Sequence, residues 1–473
     1  MTFTSRHHVV IGDGASAAAF AEMAPLGPGD RLTVIGRDTA NLGRGLAYGD
    51  HPEDAPWRYA YLLNSPSAAV LPAFAEDLEA RWSDLAERMA GRKPDWLGFG
   101  SDHIAAGDYA ALFAPRAIFG DYLSRLVRDG LERHRAAGVQ VTFIDDEVTG
   151  LDHDGSGCTV RRAKGAPLNA SHVDLAPGTP AMDAFCADAG PAAFPMLYGN
   201  EAAIADRLRP DQPVICVGAN AAMLDVLRFL QSVMDESTIR MIVISATGLR
   251  PEPLIWHRPR RPAVTPRITG PFDTCATLME AVDAEIARLR RDEGATMSEL
   301  RPGFKAWLTQ ERLSALLPDM AERRRVTHSL ERRFRRGTHD SIADYTRLTK
   351  AGQITDIIAR AKDVRPSPLG AQVRVTNADG DTESLDAPVV INCAGPGPRL
   401  ALDPLSKSLV ARGWLGLGPD EAGVTTGPGL RAGPEGMRYL APTVTEVGDT
   451  VAPFPLFDLG GLRDEVARAN RLD

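Results

Sequence analysis

An α/β fold is predicted for this 473-residue chain, with two strand–turn–helix–strand units, the second inserted into the domain formed by the first. Three observations carry the prediction. The β-branched run His8–Gly12 leads through a small-residue turn into an alanine-rich helical stretch stopped by Pro25. The same order restarts at Pro213, with "PVICVGANAAMLDVLRFL" followed by the second strand "IRMIVISATG". Residues from about 272 to 361 then read as largely helical, before "AQVRVTNADGDTESLDAPVVINCAGPGP" returns to β structure as a hairpin and a buried strand.

Bulk properties bound the function. The chain is too long for one ordinary core, so two or three domains are expected. Hydrophobic residues at 44% and charged residues at 24% are those of a globular chain, neither fibrous nor disordered. A net charge of −9 argues against nucleic acid as a general partner. The five cysteines lie far apart without metal-ligand spacing, which predicts reduced thiols and no metal site. "MTFTSRHH" lacks the apolar run of a signal peptide, and no stretch reaches the length of a membrane span. A cytoplasmic protein without a membrane partner is expected.

In the first unit, Gly12-Asp13-Gly14-Ala15-Ser16-Ala17 has the form GxGxxA. Gly12 permits a tight turn, Gly14 lets backbone amides approach a pyrophosphate, and Ala17 allows close packing of helix on strand. Ala15 and Ser16 open the helix, whose N-terminal amides and dipole favour an anion. The second strand, Arg31–Gly36, arrives where a βαβ unit needs it. The acid that binds a ribose normally ends that strand, but here Gly36-Arg37-Asp38 follows. Asp38 is the candidate by spacing; Arg37 meets a phosphate or faces solvent.

A breaker-rich segment follows, with Gly43, Gly45 and Gly49, and reads as an ordered loop. Leu78, Trp82, Leu85 and Met89 fall at helical spacing as core. Pro115 and Arg116 open another helix, and strands are expected at Val139–Ile144, Cys158–Arg161 and up to Leu175. In the second unit Asn220 stands where the second glycine would be, and Asn tolerates unusual backbone angles. That unit is either a second nucleotide site or a fold whose site has decayed. Leu278, Val282, Ile286 and Leu289 form one helix stripe, with Gly294 as its C-cap. Seven arginines between 323 and 336 make either a solvated, ion-paired face or a patch for an anion.

The ordered set "GDGASA", "GRGLAY" (Gly43–Tyr48), "YLLNSPS" (Tyr61–Ser67), "APRAIFGDYL", "VGANAAMLDV", "ISATGLRPEPLIWH" and "VINCAGP" resembles the bacterial FAD/NAD(P)-binding proteins with a split FAD domain. These are distant relatives of N-hydroxylating and Baeyer–Villiger flavin monooxygenases. The resemblance runs over nearly the whole chain, and its most specific part is the pairing of "GRGLAY" with "LLNSPS". It implies FAD at the first turn, bound by Gly12, Gly14, Ala15, Ser16 and Ala17, with Asp38, Gly45, Leu63, Asn64 and Gly395 nearby. NADPH or NADH would be held by Gly218, Asn220 and Met223. Reduced flavin would react with molecular oxygen, and the resulting hydroperoxide would oxygenate a small-molecule substrate beside Asn64. The implied domains are 1–205 and 366–473 for FAD and 206–365 for the nicotinamide. Where relatives carry arginines for a 2′-phosphate, this chain has Ala246-Thr247, leaving Arg250 or Arg258, Arg260 and Arg261 as substitutes. Two alternatives stand beside this reading: a flavin oxidase or dehydrogenase reduced by its own substrate, and a degenerate dinucleotide-fold binding protein.

Overall fold

The computed structural model describes residues 5–49, 51–92, 94–179, 186, 188–254, 260–395, 402–418, 423–448, 450–451 and 459–472. The elements that position the site run β1 (His7–Ile11), α1 (Ala15–Met23), β2 (Arg31–Gly36), α2 (Arg116–Ala136), β3 (Gln140–Asp145) and β4 (His172–Leu175). They continue with β5 (Ala193–Phe194), β6 (Pro213–Val217), α3 (Ala221–Val233), β7 (Arg240–Ser245), α4 (Cys275–Glu293), α5 (His339–Lys350) and β8 (Ile354–Ile358). The last are β9 (Val389–Asn392), β10 (Met437–Tyr439) and α6 (Leu459–Ala469).

These strands form two five-stranded sheets, in the orders β10-β4-β1-β2-β3 and β5-β9-β6-β7-β8. Every pairing in both is parallel. In both, the strand before the glycine turn lies at the centre, its two successors fan to one side and the returning strand lies on the other; the outermost strand on that side comes after the returning strand in the first sheet (β10) and before the central strand in the second (β5). A three-stranded antiparallel sheet precedes the returning strand each time, at 148–170 in the first half and 360–387 in the second. Right-handed crossover of parallel strands requires helices on the faces. Accordingly α1 buries Ala17, Ala18, Phe20 and Ala21 against the first sheet, and α3 buries Met223, Val226, Leu227 and Leu230 against the second.

One expectation is overturned. Val389–Asn392 lies within 366–473, the segment expected to complete the FAD domain, and so would be expected in the first sheet. It pairs instead with β6 and β5 in the second sheet. All four residues are buried, so the strand needs neighbours on both sides, and parallel partners are distant in sequence by construction. The chain regains the first sheet later, through β10, which lies against β4. The helix with Leu278, Val282 and Leu289 on its buried face is α4, and Gly294 closes it in the left-handed conformation. Leu78, Leu85 and Met89 are core, while Trp82 is half-buried beside Trp96.

A buried charge cluster ties the first sheet together. Asp174 on β4 accepts from Arg438 on β10 through both oxygens, at 2.6 and 2.8 Å, and lies 2.5 Å from His8 Nε2 on β1. Arg438 reaches on to Asn470 Oδ1 at 2.6 Å and lies over the Phe20 ring. Burial pushes the Asp174 carboxyl up, but His8 and Arg438 outweigh it and hold it below the usual carboxylate range. A depressed carboxylate stabilises the fold above its unfolded pKa of about 3.9 and loses that contribution as pH falls below it. Asp174→Asn leaves the Arg438 charge buried and uncompensated, an expected loss of about 3–5 kcal/mol at pH 7. Urea titrations should show the gap between variant and wild type narrowing below about pH 4; a gap independent of pH would contradict the assignment.

Candidate dinucleotide sites and the junction between them

The first turn is shaped by a close approach of backbones. Gly12 sits at φ +120°, and its N–H donates to Ile35 O at 2.8 Å. A Cβ there would lie 2.3 Å from Ala176 O, so only glycine fits between the ends of β2 and β4. Gly14 is the N-cap of α1, with no side chain capping the helix and no acid in its first turn. Among the described residues the first-turn amides of α1 thus have no side-chain cap and are free to hold an anion. The loop after β2 closes over them: Gly43 N–H donates to Asp13 O at 2.8 Å, and a Cβ on Gly45 would be 3.3 Å from Gly14 Cα. Ala15 is half-buried, while Ser16 and Ala17 are buried behind the turn. The result is a cradle lined by backbone.

The second turn repeats it. Gly218 has φ +112°, donates to Ile244 O at 2.8 Å, and would place a Cβ 2.4 Å from Ala394 N. Asn220 is the N-cap of α3 with φ −111°, an ordinary extended conformation. Tolerance of unusual backbone angles is thus not why Asn stands there. Its Oδ1 is buried without a hydrogen-bond partner among the described residues. Met223, at the position of Ala17, is fully buried in the core between α3 and the second sheet. Gly395 follows β9 and so lies beside this second turn, away from the first sheet where the sequence reading had grouped it.

Between the two turns runs a buried polar junction. Arg116, at the start of α2, donates to Leu62 O at 3.1 Å, to Tyr198 Oη at 2.7 Å and to Asp225 Oδ2 of α3 at 2.9 Å. Tyr198 also donates to Asp225 Oδ2. Burial opposes the guanidinium charge, yet Asp225 and Tyr198 outweigh it and raise the Arg116 pKa. Burial pushes the Tyr198 phenol above its ordinary range. Leu63 N–H donates to Ala114 O at 2.9 Å, and the Leu63 side chain is core. Asn64 is half-buried at the mouth of a small cavity shared with Leu62, Ala221, Asp225 and Thr338.

Sequence reasoning missed Arg116, Tyr198 and Asp225. One signal was available: Arg116 shares a helical face with Phe119, Leu123 and Val127, all buried, and a cation on an apolar stripe calls for a buried partner. Three of the seven arginines of the run form ion pairs among the described residues. Arg324 holds Glu446 at 2.6 and 2.7 Å, Arg333 holds Asp283 at 2.6 and 2.7 Å, and Arg325 holds Glu322 at 2.9 Å. Arg336 differs: it donates to Asn64 O and, at 2.7 Å, to Ser65 Oγ. Arg37 is solvent-exposed and loosely paired with Glu147 at 3.6 Å. Asp38 is exposed, with its carboxylate turned to Asn41 Nδ2 at 2.7 Å.

The substitutes for a 2′-phosphate reader are engaged elsewhere. Arg250 pairs with Asp356 and lies 5.2 Å over the Tyr345 ring. Arg260 donates to Glu293 O and Gly294 O, and Arg261 to Glu293 Oε2, at the C-terminal end of α4. Arg258 lies outside the described residues.

Residues 9–180, from β1 through the end of β4, match the FAD-NAD(P)-binding family model. They are an FAD-NAD(P)-binding domain. No curated protein is similar in sequence. Among solved structures, the L-lysine 6-monooxygenase of Pseudomonas syringae is 14% identical over 99% of each chain, with a TM-score of 0.53. The cadaverine monooxygenase of Erwinia amylovora, solved with FAD, is 12% identical over 98% of this chain and 94% of that one, with a TM-score of 0.53. The ornithine N-hydroxylase of Kutzneria sp. 744, with reduced FAD, NADP+ and L-ornithine, is 15% identical over 99% and 100%, with a TM-score of 0.51. At these identities the likeness is one of fold, and it extends beyond the FAD-NAD(P)-binding domain to both sheets. Among the described residues no helix is long and apolar enough to cross a membrane.

The two glycines of the first turn should respond oppositely. Gly12→Ala must displace β4 backbone, and we expect it to lower the melting temperature by more than about 8 °C or abolish soluble expression. Gly14→Ala meets only the Gly45 Cα at 3.9 Å and its φ of −82° suits any residue, so its melting temperature should stay within a few degrees of wild type.

Proposed function

We propose that the protein is an FAD-dependent, NAD(P)H-consuming monooxygenase that oxygenates a small molecule at nitrogen, with FAD at the first turn and the nicotinamide dinucleotide at the second. The observation that carries this reading is the repetition: one arrangement of four parallel strands around one glycine turn, used twice in the chain and joined through Arg116. It is supported by solved structures of the same fold, which are named as lysine, ornithine and cadaverine oxygenating enzymes. The residues present fit both groups. The first turn is a cradle that a Cβ on Gly45 would begin to fill, and the second holds an Asn220 Oδ1 that is without a partner among the described residues and able to accept from a bound nucleotide.

When bound, FAD would supply oxygen activation and the nicotinamide dinucleotide reducing equivalents. The chain's residues supply position. Backbone amides at Gly14–Ser16 hold the pyrophosphate, and Gly45 lets the covering loop approach it. Arg116 fixes the Leu62 backbone to α3, which carries the second turn, and so holds the two turns in register with each other. Arg336 pins Asn64 from the helical segment, leaving the Asn64 carboxamide to orient substrate at the junction. A cytoplasmic location accords with five free cysteines.

Protein saturated with FAD should be yellow, bleach anaerobically with a nicotinamide, and consume oxygen faster with a primary amine such as L-lysine, L-ornithine or cadaverine. Failure to bleach with either NADH or NADPH would overturn the reading. Asn64→Ala should slow hydroxylation about tenfold or more with little change in FAD affinity; unchanged turnover would remove Asn64 from the site. Arg250, Arg260 and Arg261 are engaged elsewhere, so none of these three described arginines offers the charge-assisted contact, worth about 1.5–3 kcal/mol, that would distinguish NADPH. Stopped-flow reduction should therefore favour NADPH over NADH by less than about tenfold. A preference above about a hundredfold would require a further cation at the second turn.

A further inference from the structure

At the first turn a carboxylate stands within the turn and a glycine ends the strand. The strand β2 ends in Gly36 where a dinucleotide-binding unit ordinarily carries the ribose-binding acid, and the turn itself carries Asp13 where a small residue suffices. The two substitutions are linked sterically. A Cβ built on Gly36 would lie 2.8 Å from Asp13 Cβ and 2.8 Å from Asp13 Oδ2. Asp13 therefore occupies the space a side chain at the end of β2 would use. Its Oδ2 accepts from Asp38 N–H at 2.9 Å, and Oδ1 has no partner among the described residues.

The neighbouring carboxylates are committed. Asp38 is turned to Asn41, and Asp145 accepts from Thr39 N and Oγ1 at 2.9 and 2.7 Å. Asp146 is buried, accepting from the backbone of Glu147 and Lys164. The second turn has no such exchange: Ala219 stands at the Asp13 position and Ser245 at the Gly36 position, its Oγ accepting from Gly248 N at 3.1 Å.

We propose that Asp13 is the ribose-binding acid of the first site, its free carboxylate oxygen accepting from the adenosine-ribose hydroxyls of the bound dinucleotide. The assignment rests on FAD binding at that turn. Gly36 is then required for its lack of a side chain, and Asp38 serves only to orient Asp13 through its backbone N–H.

The test is FAD affinity, measured by flavin fluorescence on protein stripped of flavin, with melting temperature of the stripped protein as a fold control. Asp13→Gly should weaken FAD about tenfold or more, the scale of one hydrogen bond to a charged group. Gly36→Glu alone should lower the melting temperature, because the new side chain collides with Asp13. The double variant Asp13→Gly/Gly36→Glu moves the acid back to the strand end and should recover FAD affinity to within about threefold of wild type. Where Asp13→Gly does not fold, Asp13→Asn keeps the oxygen that receives the Asp38 N–H and should still lose affinity. Wild-type affinity in the folded Asp13 variant overturns the assignment, as does a double variant that recovers nothing, which would give Asp13 a purely structural role. A wild-type chain that binds no FAD overturns the functional reading, and this assignment with it.

Discussion

The contact on which both halves of the molecule depend is the passage of a glycine backbone against the end of the returning strand. In the first half Gly12 passes Ala176; in the second Gly218 passes Ala394, and neither has room for a Cβ. The neighbouring ladder bonds are the same, Ala176 N–H to Ile11 O at 2.8 Å and Cys393 N–H to Val217 O at 2.7 Å. The central strand is thus fixed between its successor and the returning strand, and the helix that follows is aimed out of the crevice where strand order reverses. Ligands of open α/β sheets lie in that crevice, beyond the carboxyl ends of the strands. Position of the turn, direction of the helix dipole and location of the cradle follow from one steric requirement.

What joins the halves is of another kind. Arg116 and Asp225 form a buried ion pair supported by Tyr198 and by the Leu62 carbonyl. Removing such charges from water offsets most of their attraction, so the pair contributes little net stability. Its value is geometric: a misplaced α3 would leave two buried charges unpaired. A planar guanidinium binding three acceptors at once also fixes orientation in a way an apolar contact does not.

Local pattern made most of the fold legible. Each strand–turn–helix unit is contiguous, and its small residues, apolar spacing and caps lie within a few turns of one another. Gly294 closing α4 is of that kind. The partner of Val389–Asn392 was not legible, because a strand buried on both faces carries no mark of which parallel neighbours it takes. The return through Met437–Tyr439 was equally hidden, since three residues are too few to show a period. At the site, Gly12, Gly14 and Gly218 could be read from backbone requirements alone. The partners of Arg116 and Arg336 could not, because they lie 109 and 272 positions away.

Comparing the two turns shows where fold ends and chemistry begins. Their backbones agree down to the conformation of the N-cap, Gly14 at φ −82° and ψ −171°, Asn220 at φ −111° and ψ −174°. What differs at the mouth of each turn is carried by side chains: Asp13 against Ala219 and Gly14 against Asn220. The first turn presents a carboxylate beside bare amides; the second presents a neutral carboxamide and no charge. A fold that repeats itself this closely supplies the same anion-binding helix end twice. The choice of dinucleotide at each end therefore falls to residues that the sheet tolerates in either form, and these are positions where a single substitution changes recognition without disturbing the strands beneath.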